Sequence, residues 1–242
     1  MTDRIAGIVV LAATVGLVVP LVRQCRKPSG WLGRLFARDM NSRHRELARW
    51  GLSHAAVGAH DVVLDVGCGG GRTVQELARL AHQGTVVGLD YSAASVAVCR
   101  SLNAAAIAAG RVLALRGTVS ALPFPAGAFD LVTAVETHYY WPDLERDLGE
   151  VGRVLKPGGR AVLIVESYRG RRFGFIDAAA LRLIGGVTLS VDAHREIMAA
   201  AGFGDIQVFE ERGRGWLCVT GTRPAAHAVP PRGQLAVRTD RA

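Results

Sequence analysis

Val63-Leu64-Asp65-Val66-Gly67-Cys68-Gly69-Gly70-Gly71-Arg72 is the stretch that decides the fold of this 242-residue chain. An apolar run ending in a cluster of glycines reads as a buried strand that turns tightly into a helix. Without Cβ atoms, the turn lets the backbone come close to a ligand at the helix N-terminus. Gly67 and Gly69 fit the first two places of G-x-G-x-x-G, but Arg72 occupies the third, which argues against a dinucleotide site.

Downstream of this stretch the pattern is regular. After the strand at Val62-Val63-Leu64, the spacing predicts a helix over Arg72–Ala81, a strand over Val86–Leu89 and a helix over Ser92–Ala109. Strands follow at Val112–Leu115 and Phe129–Val135, then a helix over Trp141–Leu155 and a strand over Arg160–Glu166. Such alternation predicts βαβ units and a mostly parallel sheet covered on both faces, an α/β fold. Tyr168–Ser190 breaks the rhythm and reads as an insertion over the carboxyl ends of the strands. Val191–Ala201 reads as a helix closed by Gly202, and Asp205–Glu210 with Trp216–Thr222 as a hairpin. Residues 223–242, with Pro224, Pro230 and Pro231, read as a disordered tail.

Upstream, Trp31, Leu32, Leu35, Phe36 and Met40 recur at helical spacing within Gly30–Leu52. Asn41 and His44, three apart, fall on one face of that helix. Ile5–Val22 carries no charge. Its roughly 18 residues at ~1.5 Å rise are long enough to cross a bilayer core. Arg23, Arg26 and Lys27 follow directly, so the positive flank predicts a single-pass anchor in the cytoplasmic membrane with the body of the chain facing the cytoplasm.

Half of the residues are apolar and the net charge is +8, carried by arginine, with Lys27 and Lys156 the only lysines. Net charge alone does not choose between lipid and nucleic acid as a partner. Cys25, Cys68, Cys99 and Cys218 are scattered and form no C-x-x-C pair, so no zinc site or disulfide framework is expected, and no bound metal.

Three further motifs follow the glycine loop. Val86-Val87-Gly88-Leu89-Asp90-Tyr91-Ser92 places a carboxylate at the end of the second strand, where it can accept both hydroxyls of a ribose. Arg116-Gly117-Thr118-Val119-Ser120-Ala121-Leu122-Pro123-Phe124 precedes the fourth strand, and Leu155-Lys156-Pro157-Gly158-Gly159 is a turn delivering the fifth. Together these motifs resemble the class I S-adenosylmethionine-dependent methyltransferases, in the order and spacing of that family. Asp65, Gly67, Gly69 and Gly71 match its D-x-G-x-G-x-G loop, and the family's L-P-F segment often reads G-D-A-x-x-L-P-F.

The resemblance implies a Rossmann-like seven-stranded sandwich over residues 61–222 and S-adenosyl-L-methionine as cofactor. The domain is preceded by the anchor and its basic flank (1–27) and a helical segment (28–60). Asp65, Gly67, Gly69 and Gly71 would lie under the methionine part of the cofactor, and Asp90 would hold the ribose with Tyr91 beside it. Thr118 stands where the family's adenine-binding aspartate is, so Thr118 and the Val119 N–H are the candidate adenine contacts. Methyl transfer is an in-line displacement that needs a base only if the acceptor must lose a proton. Groups near the methyl should follow the fourth strand. Glu136 is expected to hold cofactor, Tyr139, Tyr140 and Trp141 to wall the cleft, and His138 to act as the base. The expected acceptor is a small or lipophilic molecule reached at the membrane; the alternatives are a protein or nucleic-acid methyltransferase and a membrane-tethered module that binds cofactor without catalysis. No N-P-P-Y segment is present, which disfavours nucleic acid as the acceptor.

Overall fold

A computed structural model of the chain describes Gln24 and residues 26–170, 181–182 and 185–225. Its centre is a seven-stranded sheet in the order β3-β2-β1-β4-β5-β7-β6. The strands are β1 (Val62–Val66), β2 (Thr85–Asp90), β3 (Val112–Arg116), β4 (Phe129–Val135), β5 (Leu155–Val165), β6 (Gly204–Glu211) and β7 (Trp216–Thr222). The first five pair in parallel, and β7 runs antiparallel between β5 and β6. This is the mixed α/β sandwich that the glycine loop and the alternating apolar runs predict.

The central strands are apolar on both sides because both faces are covered. In β1, adjacent Val63 and Leu64 are both 0% exposed and belong to different core clusters. Val63 joins the cluster holding Leu47 and Leu52 of α2 (Arg45–Ser53) and Val74 and Leu77 of α3 (Arg72–Leu80). Val96 and Cys99 of α4 (Ala93–Leu102) belong to it as well. Leu64 joins Leu148 and Val151 of α6 (Leu144–Val154) and Met198 of α7 (Val191–Ala200). Between α4 and β3 lies the short α5 (Ala104–Ala108). The pre-sheet helices are thus part of the fold: α1 (Gly30–Arg43) packs on α4, and Leu47 and Leu52 of α2 are buried.

Several boundaries differ from those read in the sequence. The helix expected over Gly30–Leu52 is broken at His44, whose φ of −90° and ψ of 7° leave the helical region. The Ser92–Ala109 helix divides at Asn103, whose side chain bonds the carbonyls of Gly71 and Cys99. Helix α6 starts at Leu144, because Pro142 disfavours a helical Trp141 and the Asp143 side chain caps the Arg146 N–H. Strand β5 starts at Leu155 through its pairing with Phe129. The β6–β7 hairpin forms as expected. Of the insertion, Arg169 donates to the Leu189 carbonyl and Val187 to that of Tyr139, and its middle lies outside the described residues.

Among the described residues no helix is long and apolar enough to cross a membrane. The expected anchor over Ile5–Val22 and the tail beyond residue 225 lie outside the described residues.

Candidate active site

The glycine loop is fastened to the strand beside it. Gly67 and Cys68 donate to the Leu89 carbonyl at 2.7 and 3.1 Å. Gly71 caps α3 with φ +84°, and a Cβ there would run into Cys99 and Asn103 of the neighbouring helix segment. Gly69 differs: a Cβ there would meet nothing within 4 Å, so the loop floor is open above this residue. Asp90 holds the loop from the end of β2. Its Oδ2 accepts from the Gly69 N–H at 2.9 Å and its Oδ1 from the Ser92 N–H at 2.8 Å. Burial pushes the Asp90 carboxyl pKa up, and these two N–H groups pull it back.

A cleft of about 200 Å³ opens over this loop. Gly67, Gly69, Asp90, Tyr91, Thr118, Val119 and Glu136 all line it, so seven residues chosen from sequence converge on one cavity. Asp65 and Gly71 lie outside the lining. Asp65 is 1% exposed, accepts a 2.7 Å bond from the Thr133 hydroxyl, and has its pKa pushed to about 7 by burial. Its role in the fold is to tie β1 to β4 beneath the loop.

Glu136, Tyr140, Trp141 and His44 also line the cleft. Glu136 leaves β4 with φ +56°, a left-handed conformation uncommon outside glycine. Its Oε2 accepts from the Tyr139 hydroxyl at 2.7 Å and its Oε1 from the Glu166 N–H at 2.6 Å. His44 Nε2 lies 4.0 Å from Glu136 Oε2 and 3.8 Å from Glu166 Oε1. Burial lowers the His44 pKa, against the opposing pull of Glu166.

A family profile described as a methyltransferase domain matches residues 64–163, which hold the glycine loop, Asp90 and Glu136. This segment is a class I S-adenosylmethionine-dependent methyltransferase domain. The demethylmenaquinone methyltransferase of Symbiobacterium thermophilum is 37% identical to the chain over 136 residues, which are 54% of this chain and 53% of that one. The phthiotriol/phenolphthiotriol dimycocerosates methyltransferase of Mycobacterium tuberculosis is 37% identical over 100 residues, 40% of this chain and 34% of that one. At the head of these relatives, the chain spans about half of the curated protein's length. Among solved structures, the methyltransferase bound to the Haloferax volcanii Trm112 activator superposes with a TM-score of 0.68. It is 24% identical, with 78% of this chain and 93% of that one covered, a likeness of fold.

The cofactor of this methyltransferase domain is S-adenosylmethionine, and the cleft fits it. A carboxylate has about four lone-pair sites. Two on Asp90 serve the backbone, which leaves two for a ribose diol, while the bare Gly69 leaves room for the chain of the cofactor.

His138, expected as the base, is not among the residues that line the cleft. Residues 138–140 form a 3₁₀ turn, in which positions three apart share a face. Thr137 and Tyr140 therefore take the cleft side, while His138 and Tyr139 turn inward and are 2% and 7% exposed. His138 Nε2 is 3.0 Å from His194 Nε2, and His194 Nδ1 is 2.8 Å from the Ser190 carbonyl. A carbonyl only accepts, so His194 carries its proton on Nδ1 and receives one from His138 Nε2. The remaining His138 nitrogen, Nδ1, is buried without a hydrogen-bond partner among the described residues, far from any role at the cleft.

Met40, Asn41 and His44, in the stretch expected to fold over the cofactor, do line the cleft, and Arg26, Pro28 and Ala37, which the sequence did not single out, join them, so the segment before the sheet supplies one of its walls. The signal was the shared face of Asn41 and His44. Asn41 clamps the loop, donating to the Gly70 carbonyl at 2.9 Å and accepting from the Arg72 N–H at 3.3 Å. Asn41→Ala removes two bonds worth about 1 kcal/mol each. It should weaken binding of S-adenosylhomocysteine by roughly 3–30-fold in calorimetry. Unchanged affinity would show that the clamp is dispensable.

Proposed function

We propose that this protein transfers a methyl group from S-adenosylmethionine to a small or lipophilic molecule at the cytoplasmic face of the membrane. One observation carries the reading: a single cleft is lined both by Asp90 and the open Gly69 and by Tyr140, Trp141, Glu136 and His44. The glycine-loop end holds the cofactor, and the aromatic end holds an acceptor with a flat or apolar body and a polar group. The sulfonium supplies the leaving group, so the chain's own residues align acceptor and methyl in a site screened from water. Two relatives support the lipophilic class, since they are named for demethylmenaquinone and for phthiotriol dimycocerosates. Anchorage through Ile5–Val22, with arginines on the inner side, belongs to the same proposal and would hold the cleft next to such acceptors.

The test is to incubate the full chain with deuteromethyl-labelled cofactor and extracts of membranes and of cytosol, with reduced demethylmenaquinone as the first defined acceptor. Labelled methyl should appear by mass spectrometry in the lipid fraction, and the chain should stay with membranes through carbonate washing. Label confined to protein or nucleic acid, or absent altogether from a chain that binds the cofactor, would overturn the acceptor class.

A further inference from the structure

We propose that the outer face of α1, which carries Trp31, Arg34, Leu35 and Arg38, docks on an anionic lipid bilayer. The helix is two-sided. Gly33 and Ala37 are buried, and Ala37, Met40 and Asn41 line the cleft. Trp31 and Leu35, four positions apart and so on one face, are 69% and 49% exposed. Apolar side chains scattered singly over a surface are ordinary, whereas their gathering in one region marks an interaction face. Five of the larger apolar side chains stand exposed among the described residues, and four of them gather around the cleft. Trp31 and Leu35 belong to the helix that walls it, and Tyr91 is part of its lining. Val187 donates to the Tyr139 carbonyl, next to Tyr140 of the lining. Leu113, on the edge strand β3, is the exception.

Charge chooses the occupant. No Asp or Glu occurs from residue 5 to residue 38, while Arg23, Arg26, Lys27, Arg34 and Arg38 all fall there. Arg34 and Arg38 are exposed, and Asp39, the first acid after them, is already paired with Arg43 at 2.7 Å. An indole and a leucine flanked by arginines match a membrane surface: the apolar groups enter the headgroup layer and the guanidinium groups reach lipid phosphates. The tether favours lipid over a protein partner. The uncharged run Ile5–Val22 ends nine residues before Trp31, a chain distance of at most about 30 Å. With that run in a bilayer, as the function proposed above has it, α1 is held within reach of the headgroups, and at this point the docking face rests on that reading. The same segment is fastened to the cofactor side of the fold, since the Tyr91 hydroxyl donates to the Arg26 carbonyl and the Ser92 hydroxyl to that of Pro28. A docked α1 leaves only its own thickness, about 10 Å, between bilayer and cleft. An acceptor could then enter the cleft with its apolar tail still in lipid.

The experiment uses the full chain reconstituted into vesicles of equal parts phosphatidylglycerol and phosphatidylcholine brominated on their acyl chains, with flotation to verify attachment. Bromine quenches only indoles that touch the acyl region. The wild type should be quenched. Trp31→Phe, which keeps Trp50, Trp141 and Trp216 and still offers an apolar ring for docking, should lose most of that quenching. Arg34→Glu combined with Arg38→Glu, or vesicles of phosphatidylcholine alone, should reduce it at least ~2-fold. Unchanged binding of S-adenosylhomocysteine verifies that each variant is folded. Equal quenching of wild type and Trp31→Phe, in a chain that floats with the vesicles, would overturn the docking face and leave the membrane attachment standing. Trp31 emission that shifts with protein concentration in detergent, without lipid, would identify a second copy of the chain as the occupant and overturn the lipid assignment. A chain that floats with neither kind of vesicle would overturn both. Trp31 quenched in a chain that passes no labelled methyl to lipid would overturn the acceptor class proposed above and leave the docking face standing.

Discussion

Asp90→Ala should weaken the binding of S-adenosylhomocysteine by about 100-fold or more. The estimate counts the two ribose hydroxyls that a carboxylate at this place can hold. Hydrogen bonds to a charged group are worth about 1.5–3 kcal/mol each, and about 1.4 kcal/mol is a tenfold change in affinity. Asp90 is 6% exposed, so water cannot readily replace it. The loss extends to the loop: without the carboxylate the Gly69 and Ser92 N–H groups, now bonded at 2.9 and 2.8 Å, are left without an acceptor. Asp90→Asn keeps one acceptor oxygen and should fall between the two. Isothermal calorimetry decides it, and an alanine variant within threefold of wild type would remove Asp90 from the cofactor site.

Acidification from pH 7.5 to 5.5 should destabilise the fold through His138 and His194. Burial lowers both pKa values, His138's well below the ordinary 6.5, and the neighbouring His194 depresses His138 further. The Ser190 carbonyl bonded to His194 opposes the shift in part. The unfolded chain then takes up protons below about pH 6.5 that the folded chain refuses. The stability these groups contribute is therefore complete above pH 6.5 and is lost as the pH falls below it toward the depressed folded values. The slope reaches about 1.4 kcal/mol per pH unit for each histidine kept neutral. The lowered His44 acts in the same direction. Urea denaturation of the wild type and of His138→Gln checks this. Glutamine can still donate to His194 Nε2 but does not titrate, so the variant should lose less stability between pH 6.5 and 5.5. Equal slopes would sink the assignment.

What the sequence disclosed, it disclosed through short-range patterns. Strand, glycine loop and helix run continuously from Val62 to Leu80, and every residue there is constrained by its neighbours, so the helix ends one residue earlier than expected and the strand two residues later. Strand β4 was legible for the same reason, as an apolar run with both faces buried. Misjudged boundaries came from side chains acting at a distance: Asn103 stops a helix by bonding Gly71, 32 positions away. The cofactor end of the site was legible because Asp90 and the loop belong to adjacent strands. The acceptor end was not. Whether His138 faces the cleft depends on a 3₁₀ turn in place of the first turn of an α-helix, a difference of a fraction of a turn that apolar periodicity does not resolve. Glu166 meets Glu136 and His44 only through sheet pairing and the packing of the segment before it, and no spacing in the chain encodes that meeting.

Strand β7 lies between β5 and β6 but follows both in the chain, and this has a consequence for synthesis. A nascent chain leaving the ribosome presents β5 long before residues 216–222 emerge. Until then the edge of β5, which pairs Val162 with Thr220 and Ile164 with Cys218 in the finished sheet, offers open backbone groups beside side chains destined to be wholly buried. Exposed edges of this kind recruit other strands. The interval between translation of Val165 and of Trp216 is thus the period in which the protein most depends on chaperones. Slow codons placed within it would lower the yield of folded protein, while the same codons after Thr222 would not.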